Sequence, residues 1–253
     1  MSARILILLL ISFLSCSKSF AEPVRVAVAS NFQKTAKALV KLYAEQSEDE
    51  VSLSFGSSGK IFAQIAHGAP YDIFLSADTQ KPFALVEAGK ASDENVFTYA
   101  MGQLVLWGNE NRLKRPVKEV LMSRKFNKIA LANPKLAPYG MAAAEVLRTL
   151  NLTDQLKSKI VLGENISQTY QFIASGNAEL GFVALSQIID QIGTKNVNYW
   201  KVAMDLYQPI QQNAVLLDRA EQKASAKRFF QFLKSQPAKQ LIASHGYLIN
   251  DCF

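Results

Sequence analysis

Residues 24–43, VRVAVASNFQKTAKALVKLY, decide the fold. The first six residues, VRVAVA, are apolar apart from Arg25 and include three β-branched valines, which is typical of a buried strand. The residues that follow place apolar side chains at helical spacing, at Phe32, Ala36, Leu39, Val40 and Tyr43. A strand that leads directly into such a helix is the repeating unit of α/β proteins, so this stretch predicts an α/β fold.

The same strand-to-helix unit recurs along the chain. Residues 51–67 read as a strand, a Gly-Ser-Ser-Gly turn and a helix, and a second series of units occupies residues 128–184. No internal repeat or flexible linker separates the two series. We therefore predict two domains between which the chain crosses several times. In such proteins the two domains close around a ligand by a hinge motion. The predicted limits are 22–100 with 206–253 for the first domain and 101–205 for the second.

The N-terminal segment predicts secretion. Residues 5–14, ILILLLISFL, follow Arg4 and precede small residues that end at Ala21, the pattern of a signal peptide over residues 1–21. The run is too short for a bilayer, which requires about 20 apolar residues, so we do not expect a transmembrane mature protein. An uncleaved anchor is one alternative. Another is a lipid anchor, because FLSC at 13–16 resembles a bacterial lipobox that would lipidate Cys16.

Composition bounds the class of protein. Of 253 residues, 49% are hydrophobic and 19% are charged, which are globular values rather than those of a disordered or disulfide-stapled chain. The formal net charge is +7, but the lysines are scattered rather than clustered. Together with secretion, this pattern does not favour a nucleic-acid partner.

Catalytic motifs are scarce. The chain has two histidines, His67 and His245, each alone at the end of a helical pattern, so a histidine-based metal cluster is not expected. Residues 55–60, FGSSGK, lack the first glycine and the final Ser or Thr of a phosphate-binding loop, and they do not form a G-x-S-x-G elbow. We predict that the protein is not an enzyme. A secreted hydrolase that uses Ser58 is kept as an alternative.

Small polar residues recur where a helix directly follows a strand. Ser30, Ser57-Ser58, Pro138-Tyr139 and Asn165-Ile166 all stand at predicted helix starts. Ordinary capping explains any one of them, but helix N-termini in α/β proteins also point into the ligand crevice. Each acts as roughly half a positive charge, so four would present about +2. That charge matches a divalent oxyanion without any Lys or Arg.

These residues resemble those of the periplasmic molybdate-binding proteins of ABC transporters, over nearly the whole mature chain. The matching stretches are VAVASNF at 26–32, SFGSSGKIFAQIAHGAPYDIFLSAD at 54–78, ANPKLAPYGMAAAEVL at 132–147, GENISQ at 163–168 and GNAELGFVALSQ at 176–187. The resemblance implies a two-domain hinged periplasmic binding protein, type 2-like, with mostly parallel sheets flanked by helices. The ligand would lie in the interdomain cleft.

The resemblance also implies a set of ligand-binding residues. Ser30 and Ser58 would donate from the first domain through hydroxyl and backbone N–H, and Tyr139 and Ile166 would donate backbone N–H groups from the second. Asn31 is a further candidate donor. Many members place a tyrosine donor where this chain has Ala184, so the complete donor set is left open.

The expected function is that of a periplasmic receptor, without cofactor, that captures molybdate and also tungstate and delivers it to an ABC permease. We expect it to act as a monomer. Receptors for sulfate, phosphate or a small carboxylate are alternatives, although a carboxylate receptor usually uses an Arg clamp, and the matched blocks contain none.

Overall fold

The computed structural model describes residues 22–108, 115–192 and 197–249. The predicted signal peptide and the candidate lipidation site Cys16 lie outside these ranges. So do residues 250–253, the last four of the predicted first domain.

Within the described residues, ten strands form two five-stranded sheets. The strands are β1 Val24–Ala29, β2 Val51–Gly56, β3 Ile73–Leu75, β4 Val96–Gly102, β5 Leu104–Gly108, β6 Ile129–Ala132, β7 Ile160–Gly163, β8 Leu180–Ala184, β9 Tyr199–Lys201 and β10 Ile210–Leu216. The first sheet has the order β2-β1-β3-β10-β4, and the second has the order β7-β6-β8-β5-β9.

Both sheets are mixed. In the first, β1 pairs in parallel with β2 and β3, whereas β10 is antiparallel to β3 and β4. In the second, β6 is parallel to β7 and β8, whereas β5 is antiparallel to β8 and β9. Parallel neighbours are joined by helical crossovers, and the antiparallel strands β5 and β10 are those that enter from the other sheet. The predicted two-domain α/β architecture with flanking helices is confirmed.

Helices cover both faces of each sheet. The described α-helices are α1 Gln33–Ala44, α2 Ser58–Ala66, α3 Gln80–Glu87, α4 Val117–Ser123, α5 Pro138–Thr149, α6 Thr153–Leu156, α7 Ile166–Ala174, α8 Leu185–Ile188, α9 Ala224–Phe232 and α10 Gln236–Ser244. Short 3-10 turns occupy Ser30–Phe32, Asp93–Asn95, Lys157–Lys159, Met204–Leu206 and Asp218–Ala220. None of the described helices is long and apolar enough to span a membrane.

Four apolar clusters hold the layers together. On the first sheet, α1, α9 and α10 bury Leu39 and Phe229 against one face, and α2 and α3 bury Ile61 and Leu85 against the other. On the second sheet, α5 lies on one face and α7 on the opposite one. The chain crosses between the sheets at Gln103 and again between β9 and β10. The exact domain limits stay a prediction.

Candidate anion-binding site

One small cavity lies between the two sheets, and all five predicted site residues line it. Its volume is about 190 Å³. Ser30, Asn31 and Ser58 come from the side of the first sheet, and Tyr139 and Ile166 come from the side of the second. All are buried. The remaining lining residues are Ala29, Gly56, Ser57, Ala77, Ala137 and Pro138.

The start of α2 leaves one backbone N–H and one hydroxyl proton for a ligand. Ser57 caps the helix by accepting from the N–H of Lys60, and Gly59 donates its N–H to the Leu136 carbonyl at 2.9 Å. The N–H of Ser58, at the first helical position, has no acceptor within the helix. The Ser58 hydroxyl oxygen accepts from the N–H of Ala77 at 3.0 Å, so its proton can be donated elsewhere.

The start of α5 offers a single N–H group. Pro138 has no N–H, and the N–H groups of Gly140 and Met141 both donate to the Ala137 carbonyl, at 2.9 and 3.1 Å. The N–H of Tyr139, at the second position of the helix, has no acceptor within it. Proline at the first position is thus compatible with a site that uses only the backbone N–H of the second residue.

The start of α7 likewise leaves a single N–H group for a ligand. The Asn165 side chain accepts from the N–H groups of Ser167 and Gln168, each at 3.0 Å, which leaves the N–H of Ile166. Because only the peptide N–H is involved, the isoleucine side chain can be buried in the apolar cluster of α5. A bulky apolar residue is therefore compatible with a polar site.

Gln187, which the sequence did not identify as a site residue, holds the start of this helix in place. Gln187 donates from Nε2 to the Ile166 carbonyl at 3.1 Å and accepts from the N–H of Ala184 at 2.9 Å. One side chain thereby connects the end of β8 to the first turn of α7. Its position three residues after the end of a strand is the only signal that the sequence carries.

Ser30 and Asn31 differ in how their side chains are used. The Ser30 hydroxyl makes no hydrogen bond within the described residues, and neither the 3-10 turn at Ser30 nor α1 has a side-chain cap. Asn31 donates from Nδ2 to Gln212 Oε1 at 3.0 Å and to the Tyr247 hydroxyl at 3.2 Å. Neither partner lines the cavity, so the amide nitrogen of Asn31 is engaged away from it.

The cavity contains no formal charge. Among the described residues that line it, Tyr139 is the only ionisable one, and burial raises the pKa of this tyrosine well above its ordinary value, so it is neutral. The N-termini of α2, α5 and α7 together contribute about +1.5 of partial charge. Neutral N–H and O–H donors in a positive, buried environment are suited to an anion.

Ala184 does not take part in the lining. It is fully buried in the apolar cluster that also contains Tyr139. The position at which many molybdate-binding proteins have a tyrosine donor is thus occupied by a packing residue.

Several contacts join the two sides around the cavity. The hydroxyl of Ser167 donates to the Ser30 carbonyl at 3.1 Å, and that of Ser186 donates to the Asn31 carbonyl at 3.1 Å. The ion pairs Lys34–Asp190 and Lys60–Glu164 lie further out. This conformation is a closed one, in which little water can reach a ligand.

Features of catalytic and metal sites are missing from the part of the chain that the structure describes. His67 Nδ1 contacts the Ala63 carbonyl at 2.7 Å, His245 Nδ1 contacts the Thr35 hydroxyl at 3.0 Å, and neither histidine lines the cavity. No group of three His, Cys, Asp or Glu residues in the described ranges could hold a metal ion. Ser58 therefore has no histidine base in the cavity.

Comparison with known proteins shows the family to which this chain belongs. The model of the family described as "Bacterial extracellular solute-binding protein" matches residues 24–248. The chain belongs to this family of bacterial extracellular solute-binding proteins.

Its relatives include proteins with a named ligand. The chain is 42% identical to the molybdate-binding protein ModA of Rhodobacter capsulatus over 228 residues, which cover 90% of this chain and 89% of the relative. It is 40% identical to the protein of the same name from Azotobacter vinelandii over 245 residues, 97% of each chain. The solved structure of the Azotobacter vinelandii periplasmic molybdate-binding protein matches with a TM-score of 0.85 and 38% identity, over 90% of this chain and 100% of that one.

Proposed function

We propose that this protein is a periplasmic receptor that captures molybdate and delivers it to an ABC permease. One observation carries the proposal: the starts of three helices and the Ser30 turn meet at a buried cavity that contains no Lys, Arg, Asp or Glu. The two relatives at 40–42% identity that bear the name of molybdate-binding protein support the choice of ligand.

The chemistry of the donors explains why the ligand is a tetrahedral dianion. Removing such an ion from water is costly unless most of its oxygen lone pairs accept hydrogen bonds. The N–H groups of Ser58, Tyr139 and Ile166 and the hydroxyl groups of Ser30 and Ser58 belong to residues that line one cavity. We propose that these five donors form a cage around the four oxygens of a tetrahedral ion. Tungstate has the same shape and charge, and we propose that it binds as well.

Sulfate and phosphate would be discriminated by size and by protonation. The cage contacts an anion of one radius best, and the shorter bonds of sulfate would leave some donors out of reach. Phosphate carries a proton at neutral pH and needs an acceptor, whereas the side chains around the cavity include no carboxylate.

We propose that this receptor has no enzymatic activity and that it binds the oxyanion without a cofactor. The absence of a histidine from the cavity wall disfavours the hydrolase alternative for Ser58. A serine-directed fluorophosphonate tests that alternative. We expect no labelling of Ser58, and stoichiometric labelling would contradict the proposal.

We also propose that the receptor is exported through the segment 1–21 and works as a monomer, in which residues from the sides of both sheets of the same chain line the cavity. Mass spectrometry of the protein from the native membrane and periplasmic fractions tests the export. A mature chain starting at Glu22 is expected, and a lipid-modified Cys16 would identify the anchored alternative. Light scattering on the purified protein tests the monomer.

Isothermal titration of the purified protein tests the function. We expect one molybdate and one tungstate per chain, with sulfate and phosphate bound at least about 100-fold more weakly, a difference of about 2.7 kcal/mol. Tight binding of sulfate or phosphate would change the assigned ligand. No binding of any tetrahedral oxyanion would overturn the function.

A further inference from the structure

A buried cluster of polar side chains lies behind the cavity, and Gln212 is at its centre. Gln212 is on β10, the strand that returns to the first sheet, and its side chain has no solvent exposure. The pairing of β10 with β4 shifts register between Gln212 and Asn213. Such irregularities in a sheet re-aim side chains, and this one adjoins the residue that makes the contacts below.

The Gln212 carboxamide contacts candidate site residues from both sides of the cleft. Its Oε1 accepts from Asn31 Nδ2 at 3.0 Å and from the Tyr99 hydroxyl at 2.9 Å. Its Nε2 donates to the Tyr139 hydroxyl at 3.3 Å. Asn31 belongs to the first side, and Tyr139 reaches in from the second.

The space around the Tyr139 hydroxyl is matched to this contact. A Cβ atom at Gly102 would lie 2.2 Å from that hydroxyl oxygen and 2.7 Å from Gln212 Nε2. Gly102 does not have a positive φ angle, so the missing side chain, rather than backbone freedom, is what the position requires. The glycine at the end of β4 therefore leaves room for the tyrosine to reach the glutamine.

We propose that Gln212 is a positioning residue for the anion site, holding Asn31 and Tyr139 in one hydrogen-bonded unit when the cleft is closed. The inference rests on the proposed function. Gln212 does not line the cavity and acts through these two neighbours, both of which do line it. The backbone N–H of Tyr139 is one of the donors of the proposed cage. A fixed amide also keeps the unit neutral beside a dianion.

The tyrosines around this unit stay neutral near neutral pH. Burial raises the pKa of each of the four tyrosines that surround it, Tyr99, Tyr139, Tyr207 and Tyr247. Asp78 acts on Tyr99, and His245, whose pKa is lowered by burial, lies beyond Tyr247 at Thr35. A carboxyl group introduced at position 212 would therefore dominate any new pH dependence.

The variant Gln212→Glu tests the inference by molybdate titration between pH 5 and pH 9. At pH 9 the new carboxylate repels the dianion, and we expect binding at least about 100-fold weaker than in the wild type. As the pH falls and the carboxyl group becomes neutral, affinity should recover towards the wild-type value. A role limited to folding would not produce this pH profile.

Two further variants complete the design. Gln212→Met removes the hydrogen bonds without adding charge, and we expect binding about 10-fold weaker at every pH. It also carries the test if Gln212→Glu does not fold. The control is Gln211→Glu, because the neighbouring residue points to the other face of the strand and binds Thr98. We expect its affinity to stay within about threefold of the wild type.

The outcomes separate the inference from the function. If the wild type binds molybdate and both Gln212 variants bind within threefold of it at every pH, the inference is overturned and the function stands. A Gln212→Glu profile no different from that of Gln211→Glu would overturn it too. If the wild type itself does not bind, the proposed function fails, and the inference fails with it.

Discussion

The backbone N–H of Gly59 donates a 2.9 Å hydrogen bond to the carbonyl oxygen of Leu136, directly across the cleft. Gly59 lies in the first turn of α2, and Leu136 lies just before α5. The two helices that supply Ser58 and Tyr139 are thus joined by main-chain atoms.

Gly59→Ala is expected to weaken binding by opening the cleft. A Cβ at this position would lie 3.0 Å from the Leu136 carbonyl oxygen and 3.1 Å from its Cα. Both are backbone atoms, so the strain is relieved most easily by separating the two sides. We expect affinity for molybdate to fall about 10-fold, while the midpoint of thermal unfolding without ligand stays constant or rises, because Ala favours helix over Gly by about 1 kcal/mol. Wild-type affinity would show that this contact does not limit closure.

Ser30→Ala is expected to reduce affinity without reducing stability. The Ser30 hydroxyl has no partner within the described residues, so its removal breaks no contact of the fold. A hydrogen bond to a charged group contributes about 1.5–3 kcal/mol, which predicts a loss of roughly 10- to 100-fold in affinity. Titration and thermal unfolding measure the two quantities.

The matched control is Ser235→Ala. Ser235 caps α10, far from the cavity, by accepting from the N–H of Ala238. We expect a loss of about 1 kcal/mol in stability and no change in affinity. If Ser30→Ala instead behaved like this control, Ser30 would be a structural residue only.

Gln187→Leu is expected to loosen the start of α7. The substitution removes the hydrogen bonds to the Ala184 N–H and the Ile166 carbonyl while keeping a side chain of similar size. We expect affinity to fall about 10-fold and stability to fall by about 1–3 kcal/mol, since a buried N–H loses its partner. An unchanged dissociation constant would show that the helix holds Ile166 in place without these two hydrogen bonds.

The fold and the cavity were predictable to different degrees. The strand at 24–29 and the apolar side chains at helical spacing after it are local patterns. The observed elements β1 and α1 agree closely with these patterns. Prolines and small polar residues at helix starts likewise predicted α5 and α7 to within a residue. These predictions succeed because turns, caps and apolar periodicity depend on neighbours in the chain.

The hydrogen bonds of the buried polar cluster behind the cavity could not be predicted from the sequence. Gln212 meets Asn31 across 181 residues of sequence, and Tyr247 meets it across 216. Nothing local marks a glutamine in a strand as the partner of a distant asparagine. Ordinary capping, one explanation for the serine at position 30, is not seen, because the chain forms a 3-10 turn at Ser30–Phe32 and no side-chain cap is present there.

Asp49 provides a pH-dependent contribution to stability that is independent of the ligand. Arg228 donates to its carboxylate at 2.5 and 2.8 Å, and this contact, with a further hydrogen bond from Tyr43, lowers the pKa of Asp49 from 3.8 to about 2. A carboxyl group with a lower pKa in the folded state stabilises the protein above the unfolded value, and the contribution is lost as the pH falls towards about 2.

Asp49→Asn tests this contribution by denaturant unfolding at several pH values. We expect the variant to be less stable than the wild type at pH 7, with the difference shrinking between about pH 4 and pH 2. A difference that stays constant over this range would mean that the carboxylate charge is not involved.

We propose that neutral donors from several helix starts bind the oxyanion in one buried cavity. Anomalous scattering at the molybdenum absorption edge, from crystals grown with molybdate, tests it most directly. We expect one strong peak per chain, from an ion whose oxygens lie within hydrogen-bonding distance of Ser30, Ser58, Tyr139 and Ile166. A peak elsewhere, or one whose oxygens contact Lys or Arg side chains, would contradict it.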